Sequence, residues 1–214
     1  MRVGYFGGSF DPPHRGHLEL ARVAAEAFEL DRVLFVPTSR QPFKPAGAAA
    51  GYADRLAMVR LLCEEANGDG SPMRFEASTL EQPAADDGPH YTVDTLERLG
   101  TELGDGDALF ALSGADTFLQ LPQWRLPERL LELAEWVVVS RPGFDLTRMD
   151  AALEPLALGA AARARIHLLP VLDDPTSATQ VRNELAAHAA EDLLAKSLTP
   201  AVLAYIRERH LYEA

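Results

Sequence analysis

The sequence predicts an α/β fold: a doubly wound parallel sheet with a small helical C-terminal lobe. Three observations carry this expectation. Short apolar segments of strand length alternate with helical stripes along most of the chain. The strand segments are continuously apolar rather than alternating, as in strands covered on both faces. The first strand runs into a glycine-rich turn and then a helix, the opening of a βαβ unit with a right-handed crossover.

Arg2–Phe6 is a short run with β-branched and aromatic residues, closed by Gly7-Gly8. Leu20, Val23, Ala24, Ala27 and Phe28 follow at helical spacing and form one apolar stripe. Val33–Val36 is a second strand, ended by Pro37. A helix is expected over Tyr52–Glu65, a strand over Met73–Ala77, a helix over Tyr91–Leu103, and a buried strand over Ala108–Leu112 before Ser113-Gly114. Pro127–Ala134 reads as a helix leading into strand Trp136–Val139, and Ile166–Leu169 as a last short strand. Two helices close the chain, from Ser177 and from Thr199. Gly143–Asp150 is the best linker candidate and reads as a loop within one fold. The expected organisation is a single domain over 1–214, with a core over about 1–142 and the last strand plus helical lobe over about 143–214.

Composition narrows the function classes. The 214 residues hold 47% apolar and 24% charged side chains, which is ordinary for a soluble globule and unlike a disordered chain. One cysteine, Cys63, excludes an internal disulfide framework and a multi-cysteine zinc site, and it lies on an expected buried helix face, where it reads as inert. No apolar run approaches a membrane span and the start does not read as a signal peptide, so the expected compartment is the cytoplasm. The net charge of -12 disfavours a nucleic-acid or anionic-membrane partner. Residues 1–60 nevertheless carry eight Arg or Lys against six acids, so a phosphate-rich ligand belongs there. Glu76 through Asp107, with nine acids and one base, reads as a solvated face.

In open α/β sheets, ligands bind at the carboxyl ends of the strands where strand order reverses. Gly7-Gly8-Ser9-Phe10-Asp11-Pro12-Pro13-His14-Arg15-Gly16-His17 lies there, between the first strand and the first helix. The glycines allow close backbone approach and the prolines stiffen the loop. His14 and His17 are three apart and share one face where the helix begins, beside its free N–H groups: an anion site with two imidazole donors. Each histidine alone could equally be a satisfied core or surface residue, and a two-histidine metal site lacks a visible third ligand. No P-loop pattern and no G-x-G-x-x-G is present, which disfavours a P-loop hydrolase and a dehydrogenase-like oxidoreductase. Ser177-x-x-Gln180 is a capping-box pattern, and Ser177 and Thr179, with Arg182 one turn on, could form a second anion site.

The first segment closely resembles the G-[ST]-F-D-P-x-H-x-G-H signature of the nucleotidyltransferase superfamily. About eight fixed positions leave a chance match on the order of 10⁻¹⁰ per start site. The resemblance implies a Rossmann-like fold and transfer of a nucleotidyl group from a nucleoside triphosphate, with His14 and His17 holding phosphates. Thr176–Arg182 resembles the superfamily's I-S-S-T-x-I-R element, with Ala178 at the second Ser and Thr176 at the apolar position. Within the superfamily, the chain is similar to the bacterial nicotinate-nucleotide adenylyltransferases. Gln41–Pro45 matches a Pro-His-Lys-like loop with Phe43 at the usual His. Tyr91–Leu96 resembles Y-T-x-x-T-L, and Ser113–Asp116 a G-x-D loop. Trp124, Val138–Gly143 and the ending Val202…Tyr212 continue the likeness, whereas Gly143–Ile166 carries little of it.

This resemblance implies adenylyl transfer from ATP to nicotinate mononucleotide, with pyrophosphate released. The implied catalytic residues are His14, His17, Lys44 and Arg182. ATP would be bound by Gly7, Gly8, Ser9, Phe10, His14, Gly16, His17, Ser177, Thr179 and Arg182. The mononucleotide would be bound by Lys44, Arg55, Tyr91, Thr92, Gly114, Asp116, Trp124 and Arg141. Mg²⁺ is expected on the phosphates rather than on protein side chains. Plainer roles stay open at this point: core packing for Trp124, helix starts at Thr92 and Asp116, a surface charge for Arg141. The alternatives in function are nicotinamide mononucleotide or another phosphate acceptor, and a non-catalytic nucleotide sensor. The oligomeric state is not specified by the sequence.

Overall fold

Valine, phenylalanine and leucine runs bounded by Gly and Pro form the strands of the computed structural model, which describes residues 1–40, 47–68, 74–83, 88–140, 146–169 and 176–213. The strands are β1 (Arg2–Gly8), β2 (Arg32–Pro37), β3 (Arg74–Ala77), β4 (Ala108–Gly114), β5 (Glu135–Val139) and β6 (Ile166–Leu169). All neighbouring pairs are parallel, in the order β3-β2-β1-β4-β5-β6. The order reverses between β1 and β4, which defines the switch point of a Rossmann-like sheet.

The helices are α1 (Arg15–Ala27), α2 (Tyr52–Asn67), α3 (Thr92–Glu102), α4 (Ala115–Phe118), α5 (Pro127–Leu133), α6 (Leu146–Leu153), α7 (Ala160–Ala164), α8 (Ala178–Ala186), α9 (Glu191–Ser197) and α10 (Pro200–Glu208). They cover both faces of the sheet. Phe6, Val33, Phe35, Phe110, Leu112, Val137 and Val139 point to one face and pack with α1, α2 and the helices from α8 onward. Val3, Tyr5, Leu34, Val36, Leu109, Ala111, Trp136 and Val138 point to the other and pack with α3 to α6. The period-two alternation of side chains thus feeds two cores, which is why the strands read as continuously apolar.

Two sequence expectations need correction. Leu146–Asp150, expected in a loop, is the start of α6, whose Met149 and Leu153 are buried four residues apart against the second core. A third C-terminal helix, α9, stands between the two expected, and buries Leu194 beside α1 and α10. Among the described residues no helix is long and apolar enough to cross a membrane.

Candidate active site

The chain leaves β1 and β4 toward opposite faces, and the resulting cleft has a volume of about 760 Å³. Gly7, Gly8, Ser9 and Phe10 form its floor at the end of β1, and Ser113 and Gly114 do so at the end of β4. Gly7 is required for packing: a Cβ there would overlap the Tyr5 hydroxyl.

The signature segment is tightly held. Phe10 takes a left-handed backbone (φ 47°), a conformation that costs a non-glycine residue about 1–2 kcal/mol. Burial offsets it: Phe10 is 1% exposed, and its ring meets His17 edge-on at 5.0 Å and Phe6 at 5.4 Å. Asp11 is buried and accepts from the amides of Ala49 (2.6 Å) and Ala50 (3.0 Å) and from the Tyr212 hydroxyl (2.8 Å).

His14 is the N-cap of α1, and His17 lies in the first turn. Their ring centroids are 3.7 Å apart and the planes are tilted by 31°. The backbone N–H of His14 donates to Nδ1 of His17 at 3.2 Å. With Nδ1 an acceptor, the proton of a neutral His17 ring sits on Nε2. His17 lines the cleft, while His14 is buried behind it and Gly16 does not line it.

Arg182 reaches the same loop from α8. Its guanidinium donates to the Asp11 carbonyl at 2.6 Å and to the Thr179 hydroxyl at 3.3 Å, and Ala178, Thr179 and Arg182 line the cleft. Ser177 caps α8 by accepting from the Gln180 amide at 3.2 Å. Gln180 does not return the bond expected of a capping box; its side chain donates to Glu184 at 2.8 Å. Ser177 is therefore at work as a helix cap, and it is not part of the cleft wall.

The opposite end is built from the start of α3 and the turn before α5. Tyr91 is the N-cap of α3, and both Tyr91 and Thr92 line the cleft. Trp124 lines it too, half-buried, with its ring edge-on to Trp136 at 5.9 Å. The Arg125 guanidinium lies 4.7 Å from the centre of the Tyr91 ring and 3.6 Å from Asp94.

Two further residues expected to contact ligand, Arg55 and Asp116, also stand outside the cleft lining. Arg55 is 2% exposed and does not line the cleft; it donates to the carbonyls of Ser9 (2.6 Å) and Ala50 (3.2 Å), so it braces the signature loop from behind. Its pKa is lowered by burial, offset in part by the Asp11 charge. Asp116 is exposed in the first turn of α4 and does not line the cleft, where a carboxylate complements the helix dipole. Lys44, Arg141 and Phe43 lie outside the described residues. The sequence reading also missed Tyr5 and Glu81. Glu81 is 2% exposed and accepts from Tyr5 (3.1 Å) and Thr95 (2.9 Å), although it belongs to the acidic run read as a solvated face. Burial, then the Glu81 charge, raise the Tyr5 phenol well above its ordinary range.

A protein from Solibacter usitatus described as a "probable nicotinate-nucleotide adenylyltransferase" is 37% identical over 99% of this chain and 100% of its own length. One of the same description from Chlorobaculum parvum is 40% identical over the full length of both. The structure of Plasmodium falciparum nicotinic acid mononucleotide adenylyltransferase complexed with NaAD shares the fold, with a TM-score of 0.72 at 14% identity, over 99% of this chain and 97% of that one. The family model described as cytidylyltransferase-like matches residues 5–184, and the chain belongs to that nucleotidyltransferase family.

Proposed function

We propose that this enzyme is a nicotinate-nucleotide adenylyltransferase, joining ATP and nicotinate mononucleotide to give nicotinate adenine dinucleotide and pyrophosphate in NAD biosynthesis. The stacked His14–His17 pair at the start of α1, beside the Arg182-anchored signature loop, carries this reading. The full-length likeness to relatives of that description supports it.

The reaction needs no protein nucleophile. The 5′-phosphate of the mononucleotide is already an anion; its oxygen forms the new bond to the α-phosphorus as the bond to the bridging oxygen of pyrophosphate breaks. The protein's task is to align two polyanions and to stabilise charge on the pentacoordinate phosphorus. Nε2–H of His17 and the first-turn amides of α1 donate to the triphosphate, His14 orients His17 from behind, and Arg182 and Thr179 flank it from α8. Lys44 is proposed as a further contact of the phosphates. The pyridine ring stacks on Trp124, its carboxylate meets the amides of Tyr91 and Thr92, and Gly114 leaves room for the ribose. Arg141 is proposed as a further contact of this half. Asp11 already accepts three hydrogen bonds. Mg²⁺ belongs to this reading as part of the MgATP substrate, where it would offset charge on the pyrophosphate. The working unit is the whole of 1–214 as one domain, acting in the cytoplasm.

The decisive test is mass spectrometry of products after incubation with MgATP and either nicotinate or nicotinamide mononucleotide. Nicotinate adenine dinucleotide with stoichiometric pyrophosphate is expected. ATP binding without pyrophosphate release would leave a nucleotide sensor, and product from the amide alone would reverse the acceptor assignment.

A further inference from the structure

Glu81 is the least expected member of the cleft wall. Its Oε1 is fixed by the hydroxyls of Tyr5 and Thr95, whereas its Oε2 is buried without a hydrogen-bond partner. Among the described residues no arginine, lysine or histidine forms an ion pair with it. Two hydroxyls on one oxygen keep the carboxylate from turning out to water. A buried anion in this state is tolerated where a bound ligand supplies the opposite charge.

The acceptor proposed above supplies one. A pyridinium N-glycoside carries a positive ring that has no hydrogen-bond donor of its own. Its charge is therefore read through an aromatic face or through the field of a fixed anion. Trp124 provides the face, and Glu81, in the same cleft lining and held by Tyr5 and Thr95, provides the anion. Resting on that acceptor reading, we propose that Glu81 is the fixed counter-charge of the cleft, so that the acceptor end selects mononucleotides with a cationic ring over those with a neutral one. Glu81 is thereby a specificity-determining residue that acts through its charge.

The test uses two probes with the same carboxylate, ribose and phosphate: nicotinate mononucleotide and its dihydropyridine form, whose ring is neutral. Calorimetric titration of the wild type should show the pyridinium form binding at least about tenfold more tightly, the scale of one charge pair across a protein interior. Glu81→Gln keeps an acceptor for Tyr5 and Thr95 and removes the charge. It should bring the preference close to unity through weaker pyridinium binding, with ATP affinity within about twofold of wild type, a split that a general packing defect does not produce. Equal binding of both probes to the wild type overturns the proposal without any variant, as does an undiminished preference in Glu81→Gln. Pyrophosphate release is followed in parallel: a wild type that discriminates by ring charge but releases none would sink the proposed activity and sustain this inference.

Discussion

The hydroxyl of Tyr212 donates a 2.8 Å hydrogen bond to Oδ1 of Asp11, a residue 201 positions away. Asp11 lies in the segment that carries the paired histidines, and Arg182 holds the carbonyl of the same residue. The far end of the chain is therefore part of the frame that sets the loop at the end of β1. Burial and the adjacent Asp11 charge raise the Tyr212 pKa, which keeps the phenol a donor at neutral pH.

Tyr212→Phe should cost about 1.5–3 kcal/mol of stability, the range for a hydrogen bond to a charged group. Urea unfolding measures this. The KM for ATP should rise more than that for the mononucleotide, because the strained loop serves the triphosphate end.

His17→Ala should lower kcat by roughly 10²-fold or more, the scale of a lost transition-state donor. Steady-state pyrophosphate release is the measurement, and unchanged turnover would remove His17 from the mechanism.

Trp124→Ala should raise the KM for the mononucleotide by about tenfold, corresponding to loss of roughly 1–1.5 kcal/mol of ring contact, with ATP affinity nearly unaffected. Equal weakening of both substrates would instead indicate a folding defect.

Arg55→Met should act differently. Loss of its bonds to Ser9 and Ala50 unbraces the signature loop and should cost about 2–4 kcal/mol. Thermal unfolding should show the loss, and the KM for ATP should rise more than that for the acceptor, because the unbraced loop is the one Tyr212 also holds.

Alkaline pH should destabilise the protein. Burial pushes the Cys63 thiol from its usual 9.0 up to about 12, and Tyr5 and Tyr212 are raised as well. A group whose folded pKa is raised binds its proton more tightly in the native state, so its stabilisation is full below the unfolded pKa and is lost as pH climbs through the folded one. For Cys63 the loss spans pH 9.0 to about 12. Denaturation midpoints across that range should fall, and Cys63 should react with a thiol reagent at pH 8 only after unfolding.

Local patterns in the sequence carried the sheet and the signature loop because both depend on neighbours. Val33–Val36 is apolar throughout because both of its faces are buried, and His14 and His17 meet because three residues make nearly one helical turn. The misses depend on distant partners. Arg55 was read as a ligand contact because its burial is set by carbonyls of Ser9 and Ala50, which chain spacing does not reveal. Glu81 was absorbed into an acidic run because its partners come from β1 and α3. Among the described side chains of short helix α6, Met149 and Leu153 are the buried apolar positions, too few to fix a helical period.

The divergence of the chain after β1 and β4 also partitions the protein's chemistry. On the proposed function, the residues assigned to the donor hang from one layer of helices, and those assigned to the acceptor hang from the other. Acceptor preference can therefore be re-engineered on one flank, at Trp124 or around the start of α3, while the machinery on the opposite flank is left intact.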